Sequence, residues 1–385
     1  MNNKKHLFDI PDSVSYLNTA SLSPSFKAVE DAGINAVKDK SRPYKIPSSY
    51  FFDPVTALKQ RFSKIIDCNE PDRIALTPSV SYGLANVANN VCLKPNDHII
   101  VIEEQFPSNF YIWEHVAKKY NAQIITIKQP KEHAHCGSLW NESILNAITD
   151  QTAVVALGNI HWSNGLIFDL KAIRKKTKVH NALLIVDGSQ SIGALPFSIK
   201  EIDPDALVCA GYKWLFGPYG CAYAYYSNYF DQGEPIEHNW TNRLHSENLR
   251  DLTKYQDQFK PLANRYMVGE SGSFIHVKMQ LEALKQVSEF DPQDIQDYCH
   301  GISHDALVDL HDLGYLSYEP ESRAKHLFGL KIPNDVDISK LKHLLQERNI
   351  FVSYRGQYLR LSAHVFNTKL DFERLYKVLK EAKSK

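Results

Sequence analysis

Between residues 74 and 226 the chain alternates short apolar runs with stretches of helical spacing. No other feature limits its possible folds as strongly. The apolar runs are Ile74–Thr77, His98–Glu103, Gln123–Ile127, Ala153–Leu157, Leu183–Asp187, Ala206–Cys209 and Ala222–Tyr226. Helical patterns lie between several of them, at Ser81–Val91, Asn109–Tyr120, Asn141–Ile148 and Leu170–His180. A strand that is apolar on both faces must be covered on both faces, and helices between strands supply that cover. The expected fold class is therefore α/β, with a large domain built on a mostly parallel, seven-stranded sheet.

Beyond residue 227 the pattern changes. Ser227–Lys260 is polar and predicts irregular structure. Ser273–Phe290 places Phe274, Val277, Leu281, Leu284 and Val287 at helical spacing. A run at Lys325–Ile332, a helical Val336–Arg348, a strand pair near Ile350–Tyr354 and Tyr358–His364, and a last helix follow. Thr368 and Asp371 offer that helix a capping box. A smaller α+β C-terminal domain is expected. The divisions are an N-terminal segment 1–45 packing with the small domain, a large domain 46–265 and a small domain 266–385. The charged stretch 33–50 reads as surface.

Composition excludes some functions. Lys and Arg total 44 and Asp and Glu total 44, so no basic field exists to hold nucleic acid or a membrane surface. The longest weakly charged run, Leu207–Tyr226, contains Lys213, Gly211, Gly217, Pro218 and Gly220, and predicts two buried strands joined by a Gly-Pro turn rather than a membrane span. No signal-peptide apolar core follows Met1, so a cytoplasmic location is expected. The six cysteines form no C-x-x-C pair. His133, His135 and Cys136 cluster in a polar stretch and read as surface loop, and no metal site is expected.

In an open parallel sheet, ligands bind beyond the carboxyl ends of the strands. Asp187 opens VDGSQSIG after one run, and Lys213 lies in AGYKWLFGPYG after another. TPSVSYG leads into a helix with Ser79, Val80 and Ser81, and Phe106 follows a third run. Singly, these read as a cap, a snorkelling lysine, an N-cap and a core ring. Jointly, they meet one chemical need. A lysine short of solvation can form a Schiff base, and a carboxylate keeps a pyridine nitrogen protonated. Amides at a helix N-terminus take a phosphate, and a ring offers a stacking face. Pyridoxal 5′-phosphate (PLP) makes all four demands. The dinucleotide fingerprint and the P-loop are both absent from the sequence.

VDGSQSIG followed by GYKWLFGPYG resembles the signature of the class V aminotransferase family of fold type I PLP enzymes, which includes cysteine desulfurases, isopenicillin N epimerase-like proteins and kynureninase. The resemblance extends from YLNTASLSPS through HWSNG to YLRLSAHVFNT. It implies Lys213 as Schiff-base lysine and proton shuttle, Asp187 on the pyridinium nitrogen and Gln190 on the phenolic oxygen. It further implies Tyr212 at the phosphate, Phe106 stacked on the ring and Trp162 at the cofactor's edge. Arg360 matches the substrate-carboxylate arginine, and Asn18 joins it as a substrate-binding residue. An ion pair between domains is the alternative reading of Arg360. Ala210 stands where a phosphate-binding Ser is common, and Glu270 interrupts the segment that reaches a partner's phosphate. A homodimer is implied.

The same resemblance leaves several reactions open. An aminotransferase acting on an amino acid or small amine is the leading expectation. A carbon–sulfur or other β-elimination lyase, a desulfurase or an epimerase is the alternative, and a non-catalytic PLP-binding protein a remote one. Desulfuration needs a mobile cysteine in the C-terminal half. No cysteine follows Cys299, and Cys209 and Cys221 lie in predicted strands, which disfavours it.

Overall fold

The computed structural model describes residues 1–132 and 135–383. In chain order they form β1 (Ser15–Tyr16), α1 (Lys27–Lys40), α2 (Asp53–Ile65), β2 (Ile74–Thr77), α3 (Val80–Asn89), β3 (His98–Ile102), α4 (Ser108–Tyr120) and β4 (Gln123–Ile127). Then come α5 (Cys136–Ala147), β5 (Thr152–Gly158), α6 (Leu170–Val179), β6 (Leu183–Asp187), α7 (Ile199–Ile202), β7 (Ala206–Ala210) and β8 (Ala222–Tyr226). The remainder comprises α8 (Phe274–Val287), α9 (Pro292–Asp312), β9 (Leu327–Lys331), α10 (Ile338–Glu347), β10 (Ile350–Phe351), β11 (Ser353–Arg355), β12 (Tyr358–Ser362) and α11 (Lys369–Lys383).

Seven strands make one sheet in the order β2-β8-β7-β6-β5-β3-β4, parallel except where β8 pairs antiparallel with β7 and β2. The α/β expectation and its mostly parallel sheet hold. Val154, Val155, Ile185, Val186, Leu207 and Val208 are fully buried, as strands covered on both faces require. Each such side chain contributes about 1.5–3 kcal/mol of burial. Ser79 caps α3 by accepting from the Tyr82 amide at 3.1 Å, and Asp169 caps α6 by accepting from Ala172 at 3.0 Å. The Leu207–Tyr226 run is the two strands expected, with Lys213 in their connection. Among the described residues no helix is long and apolar enough to cross a membrane.

A second sheet, β11-β12-β9, is antiparallel, and β1 pairs in parallel with β10. The loop after β5 joins this small sheet to the large one. Ile167 donates to Ser322 at 2.9 Å, Ala324 to Gly165 at 2.9 Å, and Gly329 of β9 to Asn164 at 3.1 Å. Gly165 has φ of +82°, and a Cβ there would stand 2.2 Å from the Leu327 carbonyl oxygen. Gly165→Ala is therefore expected to cost about 3 kcal/mol or more, read as a fall in melting temperature.

Two stretches differ from the sequence reading. The charged surface of 33–50 includes the second half of α1, where Gly33 and Ala36 are buried; Gly33 lies against Met279 of α8. Charges at six of the fourteen α1 positions hide a narrow apolar stripe. The 21-residue α9 leaves little sequence signal, because His, Asp and Gln break its apolar spacing. The expected strand to His364 stops at Ser362, and Thr368 receives half of its capping box, its amide donating to Asp371 at 2.7 Å.

Candidate active site

The chain order reverses in the large sheet between β3 and β5, so connections leave in opposite directions there and open a crevice at the strand ends. A cavity that opens to solvent lies in it. Ser79, Val80, Ser81, Phe106, Trp162, Asp187, Gln190, Tyr212 and Lys213 all border this cavity. Nine positions scattered over 135 residues of sequence thus meet in one place.

Lys213 is 6 % exposed. Burial pulls its ammonium down to about 8; Asp187 opposes that shift, and Arg360 adds to it. Its Nζ lies 5.4 Å from the centre of the Phe106 ring and 5.7 Å from that of Tyr212. Phe106 is 37 % exposed, which removes the core reading for this ring. It meets Trp162 edge-on at 5.4 Å. Burial raises the Tyr212 phenol, with Tyr219 next, whose ring centre is 4.5 Å away. Asp187 Oδ1 accepts from the Ser189 amide at 2.9 Å. Gln190 is firmly held: its Nε2 donates to Ala20 O at 3.1 Å, and its Oε1 accepts from Trp214 Nε1 at 3.0 Å. One N–H of that amide remains for a ligand.

Arg360 and Asn18 lie outside the cavity lining, and Trp162 links them to it. Arg360 Nη1 donates to Trp162 O at 3.1 Å and Nη2 to Ser21 Oγ at 2.7 Å. Ser21 in turn meets Ser353 Oγ at 2.9 Å, and Ser353 donates to Asn18 Oδ1 at 2.6 Å. Arg360 is 2 % exposed, its Nε has no partner, and burial brings its guanidinium down to about 9, with Arg355 adding to the shift. No ion pair of Arg360 is present among the described residues, so the ion-pair reading is not met.

Sequence reasoning missed several neighbours. Ser108, Asn109, Ser189, Tyr219 and Cys221 also border the cavity. His326 is buried behind it: Nε2 donates to Gln190 O at 2.8 Å because Nδ1 accepts from Gln296 at 2.7 Å. An isolated His carries no sequence signal for such a role. Glu270, with φ of +58°, borders a neighbouring cavity that shares Gly220, Cys221 and Ala222 with this one. In the His133–Cys136 cluster, His133 lies outside the described residues, Cys136 is buried, and no metal-binding group occurs among the described residues.

The residues fit PLP. A buried lysine able to lose its proton near neutrality faces an exposed ring, a carboxylate closes the β6 end, and the first turn of α3 leaves amides unpaired for a phosphate. Fold and site define a PLP-dependent enzyme of fold type I, and PLP is its cofactor. A family profile described as Aminotransferase class-V matches residues 27–374, and the chain belongs to that family.

Among curated relatives, Uncharacterized aminotransferase YcbU of Bacillus subtilis is 26% identical, over 81% of this chain and 79% of its own. Hercynylcysteine sulfoxide lyase of Schizosaccharomyces pombe is 24% identical over 98% and 96%, and isopenicillin N epimerase of Amycolatopsis lactamdurans 22% over 98% and 98%. Two solved structures share the fold. The cystine C-S lyase C-DES has a TM-score of 0.86 at 16% identity over 97% and 99% of the two chains. The cysteine desulfurase CsdA of Escherichia coli has 0.82 at 18% over 98% and 97%. These names leave the aminotransferase expectation unconfirmed and favour its alternative.

Proposed function

We propose that this enzyme is a carbon–sulfur β-lyase acting on a cysteine-derived α-amino acid. The observation that carries the reading is the buried guanidinium of Arg360, without a carboxylate partner among the described residues, beside a cavity bordered by a lysine whose ammonium burial pulls down to about 8. An uncompensated buried cation costs several kcal/mol, which a bound carboxylate offsets. The full-length matches to a sulfoxide lyase and to the fold of a cystine lyase add support.

In this reading Ser79, Val80, Ser81 and Tyr212 hold the cofactor's phosphate, Asp187 its ring nitrogen and Gln190 its phenolic oxygen. Phe106 covers the ring face and Trp162 its edge. Bound PLP supplies an electron sink for the carbanion at Cα. Arg360 and Asn18 orient the α-carboxylate. Lys213 Nζ takes the Cα proton, and sulfur leaves with the C–S bonding pair and is protonated. Water completes the balance: RS–CH2–CH(NH3+)–COO− and H2O give RSH, pyruvate and ammonium.

Persulfide transfer fits less well. Cys221 borders the cavity, but burial holds its thiol up to about 11, and Cys209 and Cys299 are buried in the core. The homodimer, the cytoplasmic location and the divisions at 45 and 265 belong to this proposal too.

The test supplies L-cystine or S-ethyl-L-cysteine to the reconstituted enzyme. Equal amounts of pyruvate and sulfur product are expected, whether or not 2-oxoglutarate is present. Amino transfer that requires 2-oxoglutarate, with no pyruvate released in its absence, would return the aminotransferase reading.

A further inference from the structure

A second guanidinium, like Arg360 outside the cavity lining, stands over Trp162. Arg355 ends β11, next to the turn at Gly356, where the hairpin folds back into β12. Its Cζ lies 5.4 Å from the centre of the Trp162 ring, and Arg360 Cζ lies 5.8 Å from that same centre. Trp162 contacts Phe106, which lies under Lys213 Nζ. Arg355 is half-buried, and among the described residues its side chain donates to a backbone oxygen, that of Tyr354 at 2.7 Å.

The charges there do not balance. Arg355 and Arg360 both act on the Lys213 ammonium, which Asp187 alone among the acidic side chains offsets, and the field of Arg355 also reaches Arg360. Elsewhere Arg174 meets Asp205 at 2.6 Å and Arg73 meets Asp231 at 2.9 Å, whereas Arg265 and Arg323, both buried, bond to backbone oxygens at a distance from the cavity. Among the described residues neither Arg355 nor Arg360 has an acidic partner. One α-carboxylate engages one guanidinium through paired N–H donors, and Arg360 keeps its Nε free for that purpose. Arg355 would still be uncompensated.

We propose that Arg355 is a specificity-determining residue, and that the substrate is an L-amino acid with a second anionic group, carboxylate or sulfur oxyanion, on its side chain. The proposal rests on the amino-acid reading above and names the substrate class within it. Arg355 lies beside the exposed turn at Gly356 and Gln357, whereas Arg360 is enclosed.

Binding to the holoenzyme tests it, followed by calorimetry and by the change in visible absorbance. The probes are L-aspartate, L-cysteine sulfinate and L-alanine. At least one of the two dianionic probes is expected to bind about tenfold or more tighter than L-alanine. In Arg355→Ala that ratio falls to within about twofold of one, and Arg355→Lys, which keeps the charge without the fork, retains part of it. Arg360→Ala weakens all three probes. A gain confined to one probe supports the proposal and identifies the anion. A wild-type ratio near one, or a ratio that survives Arg355→Ala, overturns it. If Arg360→Ala leaves all three affinities unchanged, the amino-acid reading fails first, and this one with it.

Discussion

Lys213→Ala is expected to lower turnover by at least ~10³-fold, because it removes both the amine that bonds the cofactor and the base that moves the Cα proton. The visible absorbance of the reconstituted protein should vanish with it. Stability should not fall in step. Among the described residues Lys213 has no ion pair, and alanine relieves the desolvation of this buried cation, so thermal unfolding should shift little or upward. A collapse of melting temperature would recast the lysine as structural.

The pH dependence follows from the same burial. Only the neutral amine attacks an aldehyde, and the ammonium of the cofactor-free protein is held down to about 8. Uptake of PLP by that protein should accelerate as pH rises and level off above about 8. A rate that keeps climbing toward 10 would mean an ordinary, solvated lysine.

Arg360→Ala should reduce kcat/KM by about 10²–10³-fold, the usual loss when a buried charge–charge hydrogen bond is removed. Most of the loss should fall on KM, since the guanidinium holds the substrate before and during reaction. Arg360→Lys should recover little, because two of the arginine's nitrogens are already committed to Ser21 and Trp162. The decisive comparison uses the amine lacking the α-carboxylate: wild type should discriminate strongly against it, and the variant hardly at all. Equal discrimination in both proteins would dissociate Arg360 from the carboxylate.

The large sheet was legible because strands buried on both faces leave an apolar run and nothing else. All seven runs became strands, with ends displaced by a residue or less. The cavity residues were legible for a related reason, since Asp187, Lys213 and Phe106 interrupt or directly follow such runs. The rest depends on contacts between distant segments. Nothing around Gln190 indicates that Trp214 and Ala20 hold its amide while His326 holds its backbone. Arg355 was passed over because a charged residue beside a glycine turn looks like any solvated hairpin end; its meaning comes from Trp162, nearly 200 residues earlier.

The loop that carries Trp162 also bears on motion. A hinge opening between the two sheets would have to break the bonds at Ser322, Gly165 and Asn164 together with the Arg360–Trp162 bond. Lys213 and Arg360 are thereby kept at a nearly constant separation, so the reacting carbon is gauged against a stiff frame. Whatever admits and releases substrate must belong to the rim instead, where Phe106, Tyr219 and the Arg355 hairpin are the exposed parts. Access through such a rim calls for the rotation of one or two side chains, not the swing of a whole sheet.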